Sequence, residues 1–186
     1  MPKCITICPI GSVEKRILEH ISECISYRCN LSCNFFTVMD NPKYAYNETR
    51  SQYDSKLILR RLLGECPHNT LKFIGVTTVD LYVPILQFVF GLAQIEGKCS
   101  IVSLHRLYPQ FYSRPPDPDL LLKRVEKTVL HELGHTFGII HCRDRRCVMY
   151  SSTRIEDTDF KQPIFCPTCS ELFKWHLEKA LLQNPS

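Results

Sequence analysis

Apolar residues recur along this chain with two periods, and stretches of one kind follow stretches of the other. Residues 3–9 alternate closely enough for a strand. After Ser12, a helix-capping residue type, Val13, Ile17, Leu18, Ile21 and Ile25 fall on one side of a helix predicted to run to about Tyr27. Residues 34–39 are apolar and aromatic, the pattern of a buried strand. Pro42 and Asn47 mark a loop. Leu57, Ile58, Leu62 and Leu63 carry helical spacing within residues 53–63. Residues 72–78, 87–93 and 99–104 read as three further strands, the last two split by a turn around Gly97.

Strands that alternate with helices predict an α/β (α+β) fold: a twisted, mostly parallel sheet packed on helices. The short link between the last two strands suits an antiparallel hairpin. Residues 87–93 would then be an antiparallel edge strand that an extended peptide could join. A proline-rich loop over residues 108–118 precedes a long helix, with Asp117 as its cap and Pro118 at its first position. Leu122, Val125, Val129 and Leu133 form the core stripe of that helix. A final helix over residues 170–182 would pack through Leu172, Phe173, Leu177 and Leu181. The 186 residues suggest a single domain, 1–186, with an upper lobe of about 1–138 and a small helical lower lobe of about 139–186.

The long helix changes the reading from fold to chemistry. It carries His131-Glu132-Leu133-Gly134-His135-Thr136-Phe137-Gly138-Ile139-Ile140-His141, the pattern H-E-x-x-H-x-x-G-x-x-H. His131 and His135 lie one turn apart, so two imidazoles face the same way and can grip one ion. Glu132 falls beside the ion rather than on it, where a general base for water belongs. Gly138 can take a positive φ and end the helix, so that the chain turns back to deliver His141. Three protein ligands leave a fourth zinc position for water, as a catalytic site requires. His131 lies about 200° around the helix from Val129, so the metal face opens away from the core and toward a cleft.

Four cysteines follow. Cys142 and Cys147 form one short-range pair and Cys166 and Cys169 another, the spacing of a closed, structural four-thiolate zinc site. Two disulfides are the alternative, and nothing marks the chain as secreted. The segment after Gly138 is too short to bury a good core alone, and a metal would supply the missing stability. Met149 lies between the two cysteine pairs, where a turn methionine would sit under the histidines. Tyr150 could contact the substrate or its oxyanion, although packing is the commoner use of a tyrosine.

These motifs resemble the archaemetzincins, metzincin-clan zinc peptidases that carry a four-cysteine zinc site directly after the catalytic motif. The resemblance rests on His131 through Cys169, with a softer likeness at Phe88-Val89-Phe90-Gly91-Leu92-Ala93 and at Ile101 through Leu107. It implies a metzincin-like fold and two zinc ions per chain. His131, His135 and His141 would hold the catalytic ion, with Glu132 as the base. Cys142, Cys147, Cys166 and Cys169 would hold the second ion, and Met149 would be the turn methionine. The substrate would be a peptide or protein. A zinc-stabilised peptide binder with little turnover is the other reading, and the intact Glu132 favours the enzyme.

Composition agrees. Hydrophobic content of 44% and charged content of 23% are ordinary for a globular protein. The net charge of +4 is mild, so nucleic acid is not an expected partner, and Arg143, Arg145 and Arg146 read as a solvated loop. The apolar run near residues 83–92 is broken by Pro84, Gln87 and Gly91, and the N-terminus lacks a signal-peptide pattern. The expectation is a cytoplasmic monomer without a membrane segment. Seven cysteines remain: Cys4, Cys8, Cys24, Cys29, Cys33, Cys66 and Cys99. Most are read as buried small hydrophobes, and Cys24, Cys29 and Cys33 are not read as a third metal site.

Overall fold

The computed structural model describes residues 4–182. In chain order the elements are β1 (Cys4–Ile10), α1 (Lys15–Cys29), β2 (Cys33–Phe35), β3 (Tyr46–Asn47), β4 (Gln52–Asp54), α2 (Ser55–Gly64), β5 (Thr70–Thr77), β6 (Leu81–Tyr82), β7 (Gly91–Ala93), β8 (Cys99–Ser103), α3 (Pro118–Thr136), α4 (Ile155–Phe160) and α5 (Pro167–Leu182).

Five strands form one sheet in the order β2-β1-β5-β8-β7. The first four run parallel, and β7 returns antiparallel along β8, with Leu92 opposite Ile101. Helices cover both faces, as the crossovers of a parallel sheet require. The two faces follow from the period of two along each strand. Ile5, Ile7, Ile74, Val76 and Val102 point to the side covered by α1 and α3. Cys8, Ile10, Phe73, Cys99 and Ile101 point to the side covered by Ile58 and Leu62 of α2. The mixed α/β class and the antiparallel edge strand thus stand as expected. A second small sheet, β3-β4-β6, was not expected, and its β4 takes residues 53 and 54 from the start of the expected helical stretch.

Several boundaries move for identifiable reasons. Lys3 of the expected first strand lies outside the described residues. The cap of the first helix is Glu14 rather than Ser12, and the helix closes at Cys29 with Asn30 as its C-cap in the left-handed region (φ 54°). The buried strand expected over residues 34–39 is instead a short edge strand, and Phe35 is half exposed. The strand expected over residues 87–93 keeps only Gly91–Ala93. Its first half is drawn away from β8: Arg50 donates to the carbonyls of Leu86 and Gln87, and Gln52 Nε2 also donates to Gln87. In α2, Ile58 and Leu62 are buried, whereas Leu57 and Leu63 face solvent.

The helix that carries the histidines is the central element of its layer. Asp117 caps it by accepting from the Leu120 N–H, and Pro118 occupies its first position. Val125, Val129 and Leu133 are fully buried, and Leu122 packs at the margin. Arg124, also fully buried, makes a bidentate pair with Asp159, both contacts at 2.7 Å. Lys127 donates to the carbonyls of Thr158 and Asp159. A single face of α3 thereby collects the end of α4, a helix the hydrophobic pattern does not announce. The final helix starts at Pro167 and packs through Cys169, Phe173, Leu177 and Ala180. Leu172 and Leu181 were expected inside; they lie about 90° to either side of that stripe and are exposed.

Candidate active site

The structure brings the three histidines together. His131 and His135 lie on α3, and their Nε2 atoms are 3.1 Å apart. Gly138 takes φ 83° just past the helix end and sends the chain back. His141 then stacks against His131 and meets His135 edge-on, with ring centroids 5.2 Å and 4.9 Å away. One ligand nitrogen from each lies within 4.8 Å of the others.

The hydrogen bonds fix which nitrogen is available. His131 Nδ1 lies 2.8 Å from the Val148 carbonyl and His135 Nδ1 lies 2.7 Å from the Ile139 carbonyl. A carbonyl only accepts, so each Nδ1 carries the proton and each Nε2 presents a lone pair. Two nitrogens bound tetrahedrally at a zinc distance of about 2.1 Å stand about 3.4 Å apart, so the observed pair comes close to what such an ion needs. Burial, with help from the charge of Lys161, lowers the affinity of His131 for a second proton. Burial likewise lowers His135 to about 4 and shifts His141 downward. Neutral imidazoles are the form that binds a metal.

Glu132 is buried beside the histidines and lines the same cleft, a cavity of about 610 Å³. It lies against the edge strand. A Cβ added at Gly91 would fall 2.7 Å from Glu132 Oε1, so glycine there makes room for the carboxylate. Burial pushes the Glu132 carboxyl up to about 8, against the opposing pull of the Lys161 charge.

Lys161 has no counterpart in the sequence reading. It is 2% exposed at the end of α4 and lines the cleft. Its Nζ donates to the Tyr150 carbonyl at 3.1 Å. It also lies 3.3 Å from His131 Nδ1, which already donates to Val148, so two donors face each other there. Nothing local marks this lysine, since its role depends on α4 docking against α3.

The four cysteines also converge, with one sulfur from each within 4.8 Å of the others. Cys142 Sγ and Cys166 Sγ are 3.8 Å apart. That matches the roughly 3.8 Å expected of two sulfurs bound tetrahedrally at about 2.3 Å. All eleven cysteines are free thiols in this structure. Backbone N–H groups of Asp144 and Cys166 point at the sulfurs of Cys142 and Cys147. Burial raises the Cys147 and Cys169 thiols; at Cys166 hydrogen bonds from Cys169 outweigh it and lower the thiol.

The turn through residues 147–150 serves both clusters, closed by the Tyr150 N–H donating to the Cys147 carbonyl at 3.0 Å. Cys147 supplies a sulfur, and Val148 supplies the acceptor for His131. Met149 is fully buried and its sulfur lies against Gly134, at the spot where a Cβ would be. The glycine inside the histidine motif is therefore the seat of the methionine. Ser151, Ser152 and Thr153 line the cleft just beyond the turn, and Tyr150 is not among its lining residues.

Comparison with known proteins agrees with this geometry. Residues 12–175 match the family model of Peptidase family M54. The archaemetzincin of Methanocaldococcus jannaschii is 41% identical over 165 residues, covering 89% of each chain. A crystal structure of archaemetzincin from Methanopyrus kandleri superposes with a TM-score of 0.80 at 35% identity, covering 94% of this chain and 96% of that one. Another, from Archaeoglobus fulgidus and complexed with malonate, gives 0.79 at 32% identity, covering 90% and 98%. Fold and site together define a zinc metallopeptidase. The chain belongs to the archaemetzincin family, Peptidase family M54. Among the described residues no helix is long and apolar enough to cross a membrane.

Proposed function

We propose that the chain hydrolyses peptide bonds with Glu132 as general base, and that it holds two zinc ions. His131, His135 and His141 would bind the catalytic ion; Cys142, Cys147, Cys166 and Cys169 would bind the structural one. The observation that carries the mechanism is Glu132 itself: a buried carboxylate that adjoins the histidines, faces the cleft and is seated on Gly91. A zinc ion held by the histidines supplies a Lewis acid that polarises the scissile carbonyl and acidifies water to a pKa of about 7. Glu132 takes the proton from the attacking water and passes it to the departing amine. The raised affinity of its carboxyl for protons suits both halves of that transfer.

The substrate lies extended along β7. This strand is the free edge of the main sheet, and Gly91, Leu92 and Ala93 line the cleft. Main-chain pairing to such an edge aligns a peptide without reading its side chains, and apolar pockets beside it do the reading. Leu86, Phe88, Ile95 and Ile140 supply apolar walls, which favours substrates with apolar side chains near the cut. Met149 keeps the histidine turn in place from below. Ser151, Ser152 and Thr153 replace Tyr150 as the polar groups best placed to meet substrate.

Glu132→Ala tests the mechanism. Hydrolysis of a peptide library should fall by about 10²–10⁴-fold, with zinc content and melting temperature unchanged because the base is not a ligand. Parental activity in that variant would overturn the assigned role.

A further inference from the structure

A third cluster of ligand-type side chains lies outside the cleft. His20 and Cys24 are one turn apart on α1 and share a face. Glu126 reaches them from α3. The Cys24 sulfur is 3.3 Å from His20 Nε2. One nitrogen, one sulfur and one carboxylate oxygen lie within 4.8 Å of one another. We propose that His20, Cys24 and Glu126 form a further metal site, taking a zinc-like dication that clamps α1 to the histidine-bearing helix.

The donor set selects the class of ion. A thiolate and an imidazole favour zinc or its neighbours over magnesium and calcium, which take oxygen ligands. Cys24 is buried, while His20 and Glu126 are partly exposed. Three protein ligands with a solvent-facing side leave room for water as the fourth. The site is separate from the cleft, since none of its three residues lines the cavity. Glu126 lies five positions before His131, about 140° away around the helix. An ion here would hold two packed helices together without meeting substrate.

One feature opposes the ion. Arg28 Nε donates to Glu126 Oε1 at 2.9 Å, an ion pair partly open to solvent. Without a metal, that pair and the imidazole–thiol contact satisfy these groups. With a metal, the second Glu126 oxygen serves as ligand, and the guanidinium charge repels the arriving cation. The pairing therefore makes the site one of moderate affinity, filled and emptied as the supply of ion changes.

Cobalt(II) and zinc titrations of the intact protein, in the presence of magnesium, test this. The parent should bind one more equivalent than Cys24→Ser or His20→Gln. The added cobalt should show a thiolate-to-metal charge-transfer band that is missing in Cys24→Ser. Excess zinc should raise the melting temperature of the parent by more than that of either variant, since both variants keep the other two clusters. Arg28→Gln should bind the extra ion several-fold more tightly, because the competing charge is gone. Peptide hydrolysis should be the same in Cys24→Ser and the parent. Reading the difference between parent and variants makes the result independent of how many ions the other clusters hold. Equal stoichiometry in parent, Cys24→Ser and His20→Gln would overturn the site. So would an extra equivalent that Arg28→Gln binds no better than the parent.

Discussion

The three histidines and the four cysteines meet at one turn, residues 147–150, and are held in opposite ways. Each imidazole of the helix is aimed by a backbone carbonyl, with its other nitrogen turned into an open cleft. The cysteines face one another and backbone N–H groups, away from that cleft. With an ion bound, the first arrangement would leave a coordination position for chemistry, and the second would fill all four. The difference teaches why the two belong together. An open site is poorly able to hold its own ligand loop, and a closed one a few residues away can.

The sharpest way to break this comparison is Cys166→Ser. The thiolate site should act as a staple for residues 139–182, since zinc binding there is folding energy. Losing one of four thiolates should cost about 3 kcal/mol or more, a fall in melting temperature of roughly 6–12 °C. Hydrolysis should decline only as far as the fold does. Mild chelation of the parent should remove the ion of the histidine site first, because open sites exchange faster. A melting temperature that ignores Cys166→Ser would leave the cysteines without a structural role.

Both clusters were legible in the sequence because their members are local. One helical turn joins His131 to His135, one glycine turns the chain to His141, and each cysteine pair is separated by at most four residues. What supports them was not legible. Lys161, Gly91 and Asp159 act on α3 from distant segments, and their roles exist only once helices and edge strand have docked. The shortened strand before Gly91 follows from Arg50 and Gln52 side chains that claim its carbonyls, which periodicity does not register. Cys24 illustrates the same gap. In the sequence Cys29 and Cys33 stand beside it, and the three are not read as a metal site; the fold brings His20 and Glu126 to it.

Lys161 sharpens the histidine half of the comparison. Its ammonium ties the end of α4 to the Tyr150 carbonyl and so holds the turn that aims His131. Lys161→Met keeps much of the volume and removes the tie. Zinc affinity or activity should fall by about 10–100-fold, the usual cost of losing a group that orients a ligand. The cysteine site should keep its ion. Loss of both ions together would show that the lysine holds the whole segment rather than one ligand.

A pH series on metal-free protein separates the two clusters by chemistry. His135 is lowered to about 4 by burial, so the folded chain refuses a proton that the unfolded chain accepts near 6.5. More protons on the unfolded side mean that stability rises with pH, here between about 4 and 6.5. The rise should be on the order of 1–3 kcal/mol and should shrink in His135→Gln. Denaturant melts at pH 4.5 and pH 7 in the presence of a chelator measure it. Cys166→Ser should leave this slope intact, because thiols do not titrate in that range. A slope that survives His135→Gln undiminished would assign the acid sensitivity elsewhere.

The smallest expected effect lies where the two clusters touch. Met149 is fully buried, and its sulfur fills the space over Gly134 between the two histidines of α3. Met149→Leu nearly conserves volume and should cost under about 1.5 kcal/mol, with a modest loss of activity from a slight shift of the turn. Gly134→Ala attacks the same contact from the helix side. Its new methyl meets the methionine sulfur and the Phe165 ring, so about 1–3 kcal/mol of overpacking is expected, although alanine is the better helix former. Joining Gly134→Ala with Met149→Ala should recover part of that loss, since the clash disappears when the sulfur does. Thermal melts of the two single variants and the double one form a cycle. Additive losses in that cycle would mean that the methionine is ordinary core filling rather than the piece that seats the histidine helix on its turn.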